Sequence, residues 1–138
     1  MKVLALDLGT KTMGVAISDA HLMLARGLET FRFELNRFDI AVGRVLYWLT
    51  QESIKTIVLG LPKNMDGSEG NQSKISRDFK AMLEAEIDIP IILWDERLSS
   101  KMAHSHMLQG KMNKKKRKSS IDEVAAVVIL QSYLDAKL

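Results

Sequence analysis

The sequence contains no cysteine, which excludes disulfide bonds and metal sites built on thiolates. It also lacks long apolar runs. The first run follows Met1 and Lys2 and is interrupted by Asp7, so it is too short for a signal peptide. No later stretch reaches the length of a membrane span. These absences predict a cytoplasmic protein with no membrane association.

Charge of one sign does not dominate, because the net charge is only +3. The distribution is more informative, since six cations lie in one short Lys-rich stretch: Lys111, Lys114, Lys115, Lys116, Arg117 and Lys118. Such a run has two interpretations, a solvated connecting loop or a surface that contacts phosphate.

The chain has 138 residues, of which 46% are apolar and 27% are charged. This length and balance are sufficient to bury one hydrophobic core. No internal repeat and no linker divides the sequence. We therefore predict a single domain over residues 1–138.

The first apolar run, at residues 3–8, has the composition of a buried central strand, yet it carries Asp7. A carboxylate in such a strand is costly to bury unless a metal ion or a phosphate-binding loop pairs it. Gly9, Thr10 and Lys11 follow, and a second apolar run then begins. Two apolar runs joined by a short Gly-containing stretch predict a β-hairpin.

The middle of the chain alternates between strand and helix patterns. A third strand is predicted at residues 25–33, and a helix after Asn36, because apolar residues recur there at helical spacing. Buried strands are predicted at residues 55–60, ended by Gly60, and at residues 90–94, with a helix between them. This order predicts an α/β architecture, a mixed five-stranded sheet with helices on its faces.

Two helices are predicted after the last strand. Ser99 or Ser100 caps a short one that Gly110 ends, and the Lys-rich stretch then forms a loop. Ser120 and Glu123 have the spacing of a capping box, which predicts that the final helix begins at Ser120.

Acidic residues occur where the predicted elements end or begin. Asp7 and the pair Asp95-Glu96 each lie at the carboxyl end of an apolar strand, the edge at which open α/β sheets bind ligands. Asp122 falls at the second position of the predicted final helix. If these acids converge, they suit Mg²⁺ or Mn²⁺, because hard cations prefer oxygen ligands. Two such ions bound to phosphate could activate water and stabilise the leaving oxygen.

Each acid also has a purely structural interpretation. Asp122 could simply interact with the helix dipole. Asp95, Glu96 and Arg97 could form a local ion pair on a loop, and the turn after Asp7 could be an ordinary hairpin. The residues alone leave these alternatives open.

Four segments in order resemble the motifs of the YqgF family, also called RuvX, which is described as pre-16S rRNA nucleases and earlier as Holliday junction resolvases. The segments are Asp-Leu-Gly-Thr-Lys at residues 7–11, Gly-Leu-Pro at 60–62, Asp-Glu-Arg-Leu-Ser at 95–99, and the Lys-rich stretch with Asp122 and Ala125-Ala126. The resemblance covers nearly the whole chain.

The resemblance implies an RNase H-like fold in which Asp7, Glu96 and Asp122 are the catalytic and metal-binding residues, with Mg²⁺ or Mn²⁺ as cofactor. It implies a nuclease that processes the 5′ end of precursor 16S rRNA during ribosome assembly. Lys11 and Arg97 are then candidates to contact phosphate at the reacting centre. The six cations of the Lys-rich stretch are candidates to contact the nucleic-acid backbone.

Three other functions are compatible with the residues. A Holliday junction resolvase would act on branched DNA and would be expected to form a homodimer. A non-catalytic factor would bind rRNA during assembly. An ATP-binding phosphotransferase is suggested because residues 7–11 also resemble the phosphate-1 loop of the actin and sugar-kinase superfamily, but such proteins need two domains of this kind. The sequence does not separate RNA from DNA, nor a monomer from a homodimer.

Overall fold

The computed structural model describes residues 1–98 and 114–137, and the side chains of residues 1–98 and 124–137. None of the helices in these ranges is long and apolar enough to cross a membrane. The elements, in chain order, are β1 (Lys2–Leu8), β2 (Thr12–Ser18), β3 (Ala25–Arg32), α1 (Phe38–Gln51), β4 (Ile54–Leu61), α2 (Asn71–Glu84), β5 (Ile91–Asp95) and α3 (Lys114–Ala136).

The strands form one mixed sheet in the order β3-β2-β1-β4-β5. β2 runs antiparallel to both β1 and β3. β4 runs parallel to both β1 and β5. The predicted five-stranded sheet and its β1–β2 hairpin are therefore confirmed, and β1 lies at the centre of the sheet.

Each face of the sheet packs against helices. Successive side chains of a strand point to opposite faces, so Leu4, Leu6 and Leu8 enter a core with α1 and α2. Val3 and Ala5 enter a second core with α3. Both cores are apolar and closed, with most of their members almost inaccessible to water. The same alternation places Asp7 on the α3 face.

The start of the final helix differs from the prediction. α3 begins at Lys114, not at Ser120, so Ser120 and Glu123 lie inside the helix and are not a capping box. The cations from Lys114 to Lys118 are helical and do not form the predicted loop. Lys and Arg have high helix propensity, which allows a helix to extend through a stretch that has no apolar periodicity.

Two further boundaries differ or lie outside the described residues. β4 continues through Leu61, so Gly60 lies inside the strand and does not end it. The short helix predicted after Ser99 or Ser100, its end at Gly110, and Lys111 all fall outside the described residues.

A paired-carboxylate candidate active site

Asp7 lies near the carboxyl end of β1, on the face covered by α3. Gly14 of β2 lies directly opposite it in the antiparallel register. On the other side, Leu6 pairs with Leu59 of β4, so Gly60 comes next along the strand beside Asp7. Both neighbours of Asp7 on this face therefore lack side chains, which forms a glycine-lined recess in the side-chain layer beside Asp7.

Glu96 fills part of that space from the end of β5. It follows the strand directly, and its backbone N–H donates to the carbonyl oxygen of Leu61 at 3.1 Å. A Cβ placed on Gly60 would lie 2.7 Å from Glu96 Oε1 and 2.8 Å from Ile129 Cδ1, closer than non-bonded carbon and oxygen atoms approach. A side chain at position 60 would therefore displace the Glu96 carboxylate or the end of the Ile129 side chain, which both pack against the Gly60 backbone.

The two carboxylates interact directly. Burial above all, then a hydrogen bond with Asp7 and the charges of Asp7 and Asp95, raise the pKa of Glu96 to about 9. Like charges held this close cannot both ionise freely, so without a cation the pair retains a proton near neutral pH. Strong perturbation by burial and a like charge is typical of functional sites.

Arg97 forms an ion pair with Asp95, two residues before it in the chain. Its backbone N–H donates to Asp95 Oδ1 at 2.9 Å, and its Nη2 donates to Asp95 Oδ2 at 2.8 Å. The hydrogen bond with Arg97 holds the pKa of Asp95 below its usual range. The predicted local ion pair therefore exists between Asp95 and Arg97, while Glu96 between them turns toward Asp7. The Arg97 side chain keeps 39% of its surface exposed.

Lys11 lies in the turn between β1 and β2, at the sheet edge near which Asp7 lies. Its carbonyl oxygen accepts from Phe33 N at 2.9 Å, and the carbonyl oxygen of Thr10 accepts from Asn36 N at 2.9 Å. These bonds fix the turn to the segment that leads into α1. The Lys11 side chain is exposed, and no hydrogen bond or ion pair to it occurs within residues 1–98 and 124–137.

Asp122 and the helical cations Lys114, Lys115, Lys116, Arg117 and Lys118 lie in the first half of α3. Asp122 is eight residues after the first residue of the helix, so the predicted placement at its second position is wrong. Its side chain, and those of the cations, are outside the described residues. Within the side chains that the structure does describe, no three His, Cys, Asp or Glu residues are grouped so that they could hold a metal ion.

The family is settled by comparison with known proteins. The sequence model of the family "RuvX: Holliday junction resolvase" matches residues 1–136. The chain belongs to the RuvX family. Its relatives include three proteins named "Putative pre-16S rRNA nuclease". The one from Geobacillus sp. (strain WCH70) is 47% identical over 99% of both chains. Those from Listeria monocytogenes serovar 1/2a and Bacillus subtilis (strain 168) are each 42% identical, over 98% and 99% of both chains respectively.

Solved structures place this RuvX chain among the resolvase folds. T. thermophilus RuvC in complex with Holliday junction substrate has a TM-score of 0.65 at 16% identity, covering 99% of this chain and 96% of that one. The fowlpox virus resolvase with its Holliday junction DNA has a TM-score of 0.62 at 17% identity, covering 100% and 99%. The similarity is one of fold, and it confirms the predicted RNase H-like architecture.

Sequence reasoning missed the role of two glycines in this RuvX chain. The strand pattern indicates only a strand end at Gly60, and Gly14 reads as part of the hairpin motif. The available signal was a glycine inside an apolar strand pattern, which often marks a close approach of another group. Two such glycines in strands that neighbour Asp7 point to a recess around its carboxylate.

Proposed function

We propose that this RuvX chain is a divalent-metal-dependent nuclease that hydrolyses phosphodiester bonds in structured nucleic acid. Its reaction in the cell is 5′-end processing of precursor 16S rRNA. The observation that carries the proposal is the Asp7–Glu96 pair in its glycine-lined recess. Two carboxylates that share a proton at the carboxyl edge of a sheet are suited to exchange that proton for a cation.

The donor set fits a hard divalent cation such as Mg²⁺ or Mn²⁺. Asp7 and Glu96 offer only carboxylate oxygens, and oxygen ligands are those that Mg²⁺ and Mn²⁺ prefer. A cation held there would supply water activation and charge neutralisation at the phosphate. Asp7 and Glu96 would hold it through their carboxylate oxygens.

Asp122 is the proposed third acidic residue. Positions 122, 126 and 129 are spaced by four and then three residues, so they fall on one stripe of a helix. Ala126 and Ile129 of that stripe are buried against the sheet, and Ile129 packs against Gly60. The helical repeat therefore supports a location for position 122 on the side of α3 that faces the sheet.

The cationic residues have separate proposed roles. Lys11 lies at the same sheet edge as Asp7 and is available to contact a phosphate oxygen. The exposed part of the Arg97 guanidinium can do the same while Asp95 holds the rest of it. The cations of the Lys-rich stretch are proposed to contact the backbone of the nucleic acid and to steer its approach.

The substrate is proposed from the relatives. Three RuvX proteins at 42–47% identity carry names that specify pre-16S rRNA, which favours RNA. The alternative is cleavage of branched DNA, favoured by the family description as a Holliday junction resolvase and by a fold shared with resolvases bound to junction DNA. A non-catalytic rRNA-binding factor would not need a pair of carboxylates in a recess.

The test offers the purified protein two substrates in parallel with Mg²⁺ or Mn²⁺: a ribosomal particle that contains precursor 16S rRNA, and a four-way DNA junction. We expect cleavage of the precursor RNA. Asp7→Asn, Glu96→Gln and Asp122→Asn should each abolish cleavage and keep the circular dichroism spectrum, because losing a ligand removes activation and neutralisation together.

Asp78→Asn is the matched control, since it changes an exposed carboxylate of α2 that pairs with Lys74 on the far side of the sheet. It should cleave as the wild type does. Cleavage of the DNA junction alone would replace the RNA assignment with the resolvase alternative. A fully active Asp122→Asn protein would return that residue to a purely structural role in α3.

A further inference from the structure

Met65 is the most exposed large apolar side chain that the structure describes, with 96% of its surface accessible. It lies in the 62–70 loop, defined as the residues between β4 and α2. Burial of a methionine side chain is worth about 1.5–3 kcal/mol relative to leaving it in water. Met65 therefore offers an apolar surface that no other part of the described structure covers.

Internal hydrogen bonds fix the shape of the turn that presents Met65. The backbone N–H of Asn64 donates to the Ser68 carbonyl, and the N–H of Gly67 donates to the Asn64 carbonyl, both at 2.9 Å. Ser68 donates to Asp66 Oδ1 through its N–H and its hydroxyl, at 2.9 and 2.6 Å. Gly67 has φ +89°, which a residue with a side chain rarely adopts. Met65 thus extends from a defined turn.

The turn is also attached to the candidate active site. Arg97 Nη1 donates to the carbonyl oxygen of Met65 at 3.5 Å. The same atom lies 3.4 Å from the position that a Cβ on Gly67 would occupy. Arg97 is fixed in turn by Asp95, and it is adjacent in the chain to Glu96. The 62–70 loop is therefore attached, through Arg97, to the chain segment that carries Glu96.

We propose that Met65 packs against an unstacked nucleobase of the substrate, next to the phosphate that lies at the Asp7–Glu96 pair. This inference rests on the proposed nuclease function and extends it to a residue that contacts the substrate without taking part in the chemistry. A thioether side chain is polarizable and packs well against aromatic rings. Methionine is also among the apolar side chains that proteins insert at base steps.

The surroundings of Met65 favour a base over a phosphate as its partner. Met65 has no charge with which to bind phosphate, and the adjacent carboxylate, Asp66, is occupied by Ser68. Leu98, which follows Arg97, is a second exposed apolar side chain, at 59%. The loop also carries Lys63, so cations for the backbone and an apolar surface for the base lie side by side, the combination that single-stranded nucleic acid requires.

Two measurements test the proposal. The first is the kinetics of precursor 16S rRNA cleavage by the wild type, Met65→Ala, Met65→Leu and Met23→Ala. Met23 is the matched control, because it is another exposed methionine, at 54%, in the connection between β2 and β3. We expect Met65→Ala to raise KM about tenfold with kcat within about twofold, because a base contact made equally in the bound and transition states affects KM alone. Met65→Leu should recover most of the loss, and Met23→Ala should match the wild type.

The second measurement uses Asp7→Asn protein, which should bind without cleaving. An RNA oligonucleotide with the precursor 5′ leader sequence carries 2-aminopurine at one position at a time. Binding should alter the 2-aminopurine fluorescence at one position of the oligonucleotide. Adding the substitution Met65→Ala to the Asp7→Asn protein should abolish this fluorescence response. All Met65 variants should melt within about a degree or two of their parent protein, because the side chain is exposed.

The outcomes separate this inference from the function on which it rests. If the wild type cleaves RNA while Met65→Ala keeps its KM and its fluorescence response, the inference is wrong and the nuclease assignment stands. If the wild type neither cleaves nor binds nucleic acid, the proposed function and this inference both fail.

Discussion

The sharpest test of the candidate site is the pH dependence of stability in metal-free protein, compared between the wild type and Glu96→Gln. The pKa of Glu96 is raised from 4.5 to about 9 in the folded state. Between these values the folded protein holds a proton that the unfolded chain releases. Folding stability therefore falls as pH rises through this window, because the folded state binds more protons.

The magnitude follows from the shift. At pH 7.5 the solution is about three units above the ordinary glutamate pKa, which sets an upper limit of about 4 kcal/mol at 1.36 kcal/mol per unit. Glu96 is only partly buried, and water on its open side screens the charge, so we expect about half of this, about 2 kcal/mol. The glutamine introduced by Glu96→Gln cannot ionise, so this part of the pH dependence should be absent from the variant.

The assay is urea unfolding in EDTA at several pH values from 5 to 8.5. The difference in unfolding free energy between Glu96→Gln and the wild type should grow by about 2 kcal/mol across this range, in favour of the variant. Asp78→Asn, the exposed control on α2, should follow the wild type. Parallel curves for wild type and Glu96→Gln would refute the reasoning, because they would show that Glu96 ionises as an ordinary glutamate does.

Addition of Mg²⁺ or Mn²⁺ should reverse the loss of folding stability with rising pH, and it should do so in the wild type alone. A cation needs the deprotonated carboxylate, so its affinity should increase with pH. At a free metal concentration of a hundred times the dissociation constant, the bound cation should add about 2.7 kcal/mol to the unfolding free energy of the wild type. Glu96→Gln should gain much less. No metal-induced stabilisation of the wild type, with nucleic acid also present, would count against a metal site at this pair.

Gly60→Ala should destabilise the protein by about 1–3 kcal/mol in urea unfolding and reduce cleavage, because the new methyl group would overlap Glu96 Oε1 and Ile129 Cδ1. Unchanged stability and activity would contradict the close packing of Glu96 and Ile129 against Gly60. A variant in which Gln replaces four cations of α3, Lys114, Lys115, Lys116 and Lys118, should bind RNA more weakly. Its slope of log K against log salt should be flatter by roughly 3 units for single-stranded RNA, and its melting temperature should stay within about two degrees of the wild type. The same replacement at Lys74 and Lys80 of α2 is the control, and an equal slope in both variants would exclude a phosphate contact by α3.

The central strands could be predicted because each one is a run of apolar residues with turn residues nearby. β1 and β4 carry side chains that are buried on both faces, so the run itself is the signal. The turn at Asp66-Gly67 was also predictable, since the residue that needs positive φ is a glycine. In these segments local chemistry and tertiary structure favour the same conformation.

The start of α3 could not be predicted, because two local signals conflict there. Ser120 and Glu123 have the spacing of a helix start, whereas the preceding Lys and Arg residues have high helix propensity but no apolar face to reveal it. The sequence interpretation followed the capping signal. The structure extends the helix to Lys114, which moves Asp122 from the helix terminus into its interior.

For Asp7 and Glu96, only their location at the same edge of the sheet could be predicted. Strand ends gave the edge of the sheet at which both residues lie, but neither the hydrogen bond between them nor the direction of Glu96 could be obtained from strand patterns. Those features depend on Gly60, whose missing side chain lets Glu96 lie over β4. They depend also on Arg97, which turns toward Asp95 and leaves Glu96 to face the recess.

The site therefore depends on strand register as much as on the acidic residues. Gly14 lies opposite Asp7, and Gly60 lies beside it, only in the pairing that the sheet adopts. A slip of β4 by one residue would bring a leucine, at position 59 or 61, beside Asp7 in place of Gly60 and would reverse the faces of the β4 side chains. The register is held because Leu6 of β1 and Leu59 of β4 must enter the same core below α1 and α2. Hydrophobic packing on one face of the sheet thus positions the carboxylate on the other face.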